Sequence, residues 1–196
     1  HSPYTGVISK IDVATDFNGY KKLAFYIDVE EDEWCEEIDT SEDIVQDIKL
    51  SSQEIVERIK DRGIVGLGGA AFPTHVKYMV PEDKHVDYII INAAECEPYL
   101  TSDNRLLLEH TEEILIGIEI MKKAVKVDKA KIGIETNKPQ AIVALKALVS
   151  KYPGTEVVPL KTKYPQGAEK QLIYALTKRE VPSGKLPIEV GCIVNN

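Results

Sequence analysis

Val86-Asp87-Tyr88-Ile89-Ile90-Ile91-Asn92, followed at once by Ala93-Ala94-Glu95-Cys96-Glu97-Pro98, is the stretch that decides the fold. Its first half is a nearly continuous apolar run, the mark of a strand covered on both faces in a parallel sheet. Such a strand needs helices above and below it, and its neighbours in sequence supply them. Ser51 can cap a helix running to about Arg62, with Ile55, Val56 and Ile59 on one face. Pro73-Thr74 starts a short helix. Thr111 to Val125 reads as a helix with Glu112 and Glu113 in its first turn, where they suit the dipole. Lys131 to Glu135 is a strand, and Pro139 to Val149 is a helix with Ile142, Leu145 and Val149 inward. Thr155 to Leu160 is a strand, Ala168 to Leu176 a helix, and Glu189 to Val194 a last strand. Strands alternating with helices predict an α/β fold: a Rossmann-like, mostly parallel sheet with helices on both faces.

Residues 1–48 follow another pattern. Gly6 to Val13 and Lys22 to Val29 alternate apolar and polar residues as half-buried strands do, with a turn signal at Phe17-Asn18-Gly19 between them. Two strands are too little for a stable sheet, so this segment is expected to pack on the rest of the chain. The predicted organisation is a small β-rich segment over 1–48 and an α/β domain over 49–196.

The net charge of −8 is unevenly spread: Asp28 to Ile48 holds eleven Asp or Glu and no Lys or Arg. A solvated loop or edge explains such a run, and so does a contact site for a basic partner. No basic stripe with interleaved aromatics is present, which argues against nucleic acid as a ligand. No apolar run approaches the roughly 18 residues that a membrane span needs. The opening, His1-Ser2-Pro3-Tyr4, is neither basic nor apolar and lacks Met, so it reads as a trimmed start rather than a signal peptide. Cys35, Cys96 and Cys192 form no CxxC pair, and the histidines at 1, 75, 85 and 110 lack metal-ligand spacing, so no metal site is expected.

Four polar corners remain, each beside a predicted strand or helix end. Gly66 to Thr74 is glycine-rich and leads into a helix, with Lys77 one turn further on. Glycines there would let the backbone approach a phosphate, although a tight packing turn would also use them. The spacing is neither GxGxxG nor a P-loop. Asn92 to Pro98 places an amide and two carboxylates at a buried strand end, where ligands of open α/β sheets gather; an exposed loop with incidental acids is the other reading. Tyr164 to Gln171 and Val194-Asn195-Asn196 are the third and fourth corners. Together they predict a ligand cleft along one edge of one sheet.

GLGGAAFPTHVK (66–77), INAAECEPYLTSDNR (91–105), YPQGAEKQLI (164–173), EVPSGKLP (180–187) and IVNN (193–196) occur in this order. They resemble the C subunit of the Rnf electron-transport complex over roughly residues 50–196. The flavoprotein subunit of respiratory complex I is a more distant relative, with GRGGAGFPTGLKW, NADESEPGTFKDR, YICGEETAL and NN. The opening HSPYTGVISKID looks like the small, barrel-sandwich-like β domain that precedes the flavin domain in Rnf C subunits. No modifiable Lys in a carrier-type Met-Lys setting accompanies it, so no swinging arm is inferred.

The resemblance implies an FMN- and NAD(H)-binding module of a ferredoxin–NAD oxidoreductase. By motif, Gly66, Gly68, Gly69 and Lys77 would hold the FMN phosphate and nearby groups. Asn92, Glu95, Tyr164, Gly167, Asn195 and Asn196 would line the rest of the flavin site. Phe72, Glu97 and Glu169 would face NADH. Two positions depart from complex I: Ala94 stands for its Asp and Leu67 for its Arg. Hydride exchange between two cofactors needs no protein nucleophile or base, in keeping with the absence of a catalytic triad. The 4Fe–4S clusters of the family are expected in a C-terminal region that this chain lacks, since no CxxCxxCxxxCP run is present. The implied setting is a peripheral subunit on the cytoplasmic side of the cell membrane, bound to other subunits of the complex and reaching ferredoxin indirectly. A soluble paralogue feeding a proline or corrinoid reductase, and a non-catalytic docking module, are the alternatives.

Overall fold

The computed structural model describes residues 2–36, 38–41, 43–68 and 70–196. The chain divides into two compact units, His1–Asp43 and Ile44–Asn196.

The first unit is built on an antiparallel pair, β1 (Gly6–Thr15) and β2 (Lys21–Val29). Asp16 closes the turn between them, its carboxylate accepting from the N–H groups of Asn18 and Tyr20, with Gly19 in the left-handed region. The register sets Ile11 opposite Phe25 and Val13 opposite Leu23 on one apolar face. The alternation predicts a covered face, yet these four side chains are more than half exposed. Two strands bring no second layer of their own, so this unit by itself cannot bury them. The acidic stretch after β2 forms no regular element among its described residues and is mostly exposed, as a solvated charge run should be.

The second unit is the α/β domain. Its sheet comprises β3 (Tyr88–Ala93), β4 (Ala130–Glu135), β5 (Thr155–Leu160) and β6 (Cys192–Asn195), all parallel, in the order β5-β4-β3-β6. The helices are α1 (Ser52–Asp61), α2 (Thr74–Tyr78), α3 (Ser102–Glu109), α4 (Thr111–Val125), α5 (Pro139–Leu148) and α6 (Glu169–Thr177). The apolar run around Ile90 is explained by the two cores. Ile89, Ile91, Ile132, Ile134 and Ile193 pack on one face with Leu115 and Ile118 of α4, Leu145 of α5 and Ile55 of α1. Ile90 and Val194 point to the other face and pack with Leu172, Ile173 and Leu176 of α6. Helices therefore cover both faces, as predicted.

The structure amends the sequence reading at two places. Ser102–Glu109 is helical although its sequence predicts no separate helix; it abuts α4 with only His110 between them. The last strand begins at Cys192, not Glu189, because Pro187–Val190 winds into a 3₁₀ turn ending on Gly191 at φ 69°. The start of α1 is as the sequence implies. Ser51 forms a capping box with Glu54: the Ser51 N–H donates to the Glu54 carboxylate at 2.8 Å, and its Oγ accepts from the Glu54 N–H. Ser51→Ala should lower stability by about 1 kcal/mol. An unchanged midpoint in urea would mean that the cap adds nothing beyond the burial of Ile55 and Ile59.

Candidate functional site

Parallel strands put all four carboxyl ends on one edge. The chain runs outward from β3 to β4 to β5 and then crosses back to place β6 on the other side of β3. The order reverses between β3 and β6, the point at which open α/β sheets place their ligand crevice. Ile91 pairs with Asn195 across this point. Asn92, Glu95, Asn195 and Asn196 all lie at or just beyond it.

Asn195 is 5% exposed. Its Oδ1 accepts from the Tyr78 hydroxyl at 3.3 Å, while its Nδ2 is buried without a protein partner among the described residues. A buried amide donor left unpaired costs free energy, and a ligand acceptor would relieve it. Burial pushes the Tyr78 hydroxyl well above the usual tyrosine range, so it stays protonated and able to donate. Lys77, on the same short helix, gives one of its three donors to the Val194 carbonyl at 2.6 Å. Its Nζ also lies 5.9 Å from the centre of the Phe72 ring.

The glycine-rich loop is pinned at its neck. The Gly66 N–H donates to the Phe72 carbonyl at 2.9 Å, the Thr74 N–H to the Ile64 carbonyl at 3.0 Å, and Val65 bridges Pro73. The Gly66 amide is thus already used within the loop. Gly68 lies against Asn196 so closely that a Cβ built on it would fall 1.4 Å from the Asn196 Nδ2. Neither glycine is in the left-handed region; in the described part of the loop that conformation falls on Ala71, at φ 49°. Close approach, rather than a positive φ, is what Gly68 provides. The helix that follows can add little dipole, because α2 has only five residues and its Thr74 amide is occupied. Gly69 lies outside the described residues.

The corner after β5 laps onto the end of β3. Asn92 Nδ2 donates to the Gly167 carbonyl at 3.0 Å, and the Asn92 Oδ1 accepts from the Ala94 N–H at 3.3 Å. Gln166 beside it is buried. Glu95, 6% exposed, accepts the Asp103 N–H at 3.0 Å through Oε1, and its Oε2 lies 3.2 Å from Lys138 Nζ. Burial first, then the Glu95 and Glu97 charges, raise the Asp103 carboxyl above the ordinary aspartate range, against the pull of Lys138.

Apart from Gly66, bonded within its own loop, Glu95, tied to Asp103 and Lys138, and Gly69, outside the described residues, the sequence-predicted residues fall into two groups. Gly68 meets Asn196, Asn92 meets Gly167, and Lys77 and Asn195 are tied to the end of β6. Phe72, Glu97, Tyr164 and Glu169 are exposed, and among the described residues no side-chain hydrogen bond joins them to the rest. Cys96, also at this corner, is half-buried and unpaired with another cysteine. Tyr78, Asp103 and Lys138 carry no signal of their own in the sequence. Tyr78 and Asp103 sit beside or inside the quoted motifs, and Lys138 follows the end of β4, at the one strand-to-helix corner without a motif.

Comparison with known proteins identifies the family. Residues 59–196 match the family described as the Nuo51 FMN-binding domain. The chain is 53% identical over 167 residues to the C subunit of the proton-translocating ferredoxin:NAD(+) oxidoreductase complex of Clostridium ljungdahlii, covering 84% of this chain and 35% of that protein. It is 50% identical over 147 residues to the C subunit of the Na(+)-translocating ferredoxin:NAD(+) oxidoreductase complex of Acetobacterium woodii, covering 75% and 33%. A solved structure of an NAD+-reducing [NiFe]-hydrogenase in the air-oxidized state superposes with a TM-score of 0.62 at 27% identity, over 74% of this chain and 28% of that one. The chain thus spans about a third of the length of these curated relatives. With fold, corner motifs and matched residues in agreement, the chain belongs to the Nuo51 FMN-binding domain family, alongside the C subunits of ion-translocating ferredoxin:NAD(+) oxidoreductase complexes.

Proposed function

We propose that the α/β unit is the FMN- and NAD(H)-binding module of the C subunit of an Rnf-type ferredoxin:NAD oxidoreductase. The observation that carries this reading is the buried Asn195 Nδ2, which has no hydrogen-bond partner among the described residues, at the end of β6 where the strand order reverses, in a site whose loop Gly68 lies against Asn196. Both are what a site shaped for a flat, polar ligand would need. Gly68, Asn92, Glu95, Gly167, Asn195 and Asn196 would hold FMN, with Lys77 offering its remaining donors to the phosphate and Gly66, Gly69 and Tyr164 completing the enclosure. When bound, FMN supplies two-electron exchange with NAD(H) and one-electron exchange with further carriers.

The protein's own contribution is binding and orientation. Asn195 presents a donor that Tyr78 keeps turned, because the Tyr78 hydroxyl occupies the other end of the amide. Phe72, Glu97 and Glu169 are free to meet a second ligand, and NADH is the one the relatives' names support. The exposed Phe72 ring offers stacking, and the two carboxylates can accept hydrogen bonds from ribose hydroxyls or the carboxamide. Where complex I has Asp and Arg, Ala94 and Leu67 offer no polar group, so flavin contacts here rest more heavily on Asn92, Glu95 and Asn195. The wider proposal is a peripheral subunit on the cytoplasmic side of a membrane complex, touching other subunits and reaching ferredoxin through clusters held elsewhere. No helix among the described residues is long and apolar enough to cross a membrane.

The test is an FMN titration followed by NADH under anaerobic conditions. FMN fluorescence should quench on binding, and NADH should bleach the bound flavin. Glu97→Gln should then weaken NADH by roughly ten- to a hundredfold, the value of one charge-assisted hydrogen bond, and leave FMN affinity unchanged. Equal losses for both ligands would remove Glu97 from the nicotinamide side. A protein that binds neither would leave a docking module as the better account.

A further inference from the structure

The buried ion pair at the ends of β3 and β4 has no part in hydride exchange. Glu95 follows β3 and Lys138 follows β4, and the two strands are neighbours, with Ala93 paired to Ile134. Both side chains are largely withdrawn from water, at 3% and 13% exposed, with 3.2 Å between Oε2 and Nζ. Lys138 is held by its backbone on both sides: its N–H donates to the Glu135 carbonyl at 3.0 Å, and its carbonyl accepts from Ile142 at 3.1 Å as α5 begins at Pro139. Glu95 is fixed at its other oxygen by the Asp103 N–H at 3.0 Å. The charged groups facing this corner are Glu95, Glu97 and Asp103 on one side and Lys138 on the other. Among the described residues, no other cation lies within ion-pair distance of Glu95. A buried carboxylate beside two further acids is unfavourable unless a cation meets it.

We propose that Lys138 is a positioning residue of the flavin site, holding the Glu95 carboxylate against the start of α3 and offsetting part of the negative charge that Glu95, Glu97 and Asp103 gather there, so that an anionic flavin nucleotide meets a fixed corner of reduced charge. The inference rests on the FMN reading for its ligand and on the ion pair for its mechanism. A compact ammonium suits the task, since it reaches one carboxylate oxygen and leaves the other to the Asp103 amide. Without it, Glu95 must turn toward water or stand beside the ligand as an uncancelled negative charge.

Two measurements on the whole chain test this. The first uses no ligand: the Asp103 amide, whose N–H ends on Glu95, is followed by hydrogen exchange in solution NMR. Lys138→Met should lower its protection by about tenfold or more, the exchange expected when a local hydrogen bond opens more freely, while amides of β4 stay unchanged. Lys138→Arg should restore most of the protection. The second is FMN affinity by fluorescence quenching. Lys138→Met should weaken FMN by at least about tenfold, as loss of one partner of a buried pair implies, yet should change it by less than about twofold when Glu95→Gln is already present. Unchanged Asp103 protection overturns the proposal. So does an FMN loss equally large in both backgrounds, which would make Lys138 a structural residue independent of Glu95. If the unaltered chain fails to bind FMN, the flavin reading falls on its own, and the exchange measurement still decides whether Lys138 holds Glu95.

Discussion

A Gly68→Val protein should fold normally and bind FMN roughly a hundredfold more weakly, a loss of about 2.7 kcal/mol. The size follows from where a side chain would go. A Cβ on Gly68 falls 1.4 Å from the Asn196 Nδ2 and 2.7 Å from its Cγ. No two non-bonded atoms tolerate that distance, so the Asn196 side chain has to move. Asn196 is exposed, and the atoms in the way are the end of its side chain. The fold can therefore give way cheaply, and the cost falls on the cradle instead. Valine would also fill the space through which the loop backbone approaches a ligand. The expected signature is a melting midpoint within a few degrees of the parent, with FMN quenching shifted to much higher concentration. Unchanged FMN affinity in a folded Gly68→Val protein would remove the glycine loop from the site.

The sheet was legible in the sequence because burial on both faces leaves an unmistakable run in β3, and because β4 and β5 repeat the strand-then-helix pattern. The four corners were legible for the same reason: the carboxyl ends of parallel strands must share an edge. The extent of β6 was not, because Pro187 to Val190 is as apolar as a strand, and only the left-handed Gly191 marks where the chain turns into the sheet. Helix α3 was hidden inside a motif whose polar residues read as a loop. The hairpin shows the opposite failure. Alternation in β1 and β2 correctly gave strands but also promised a covered face, and two strands have nothing of their own to cover it with. At the site, residues that would touch a ligand directly carried motif signals, whereas those that hold them did not. Tyr78 and Lys138 carry no motif of their own, and only distances place them on Asn195 and Glu95.

Gly167→Ala should cost both stability and FMN affinity, and this separates it from Gly68→Val. Here the obstacle is backbone. A Cβ on Gly167 would lie 2.5 Å from the Ala94 carbonyl oxygen and 3.3 Å from the Asn92 Oδ1. Ala94 is buried just past the end of β3 and cannot swing aside as an exposed side chain can. The corner after β5 must lift away, which strains or breaks the 3.0 Å bond from Asn92 Nδ2 to the Gly167 carbonyl. Inserting one methyl group into such a junction costs about 1–3 kcal/mol. For a domain of this size that lowers the melting midpoint by roughly 3–10 °C. The same displacement takes the Gly167 corner off Asn92, so FMN affinity should fall by up to about tenfold, the value of one neutral hydrogen bond. A lower midpoint with unchanged FMN affinity would mean that this corner supports the sheet without lining the site. Unchanged values for both would mean that β3 and the β5 corner meet more loosely than 2.5 Å implies, and the idea of one continuous cradle along the strand ends would fail with them. The two glycines thus divide the site by what stands opposite each: a side chain that can move, where function alone is lost, and a buried backbone that cannot, where fold and function are lost together.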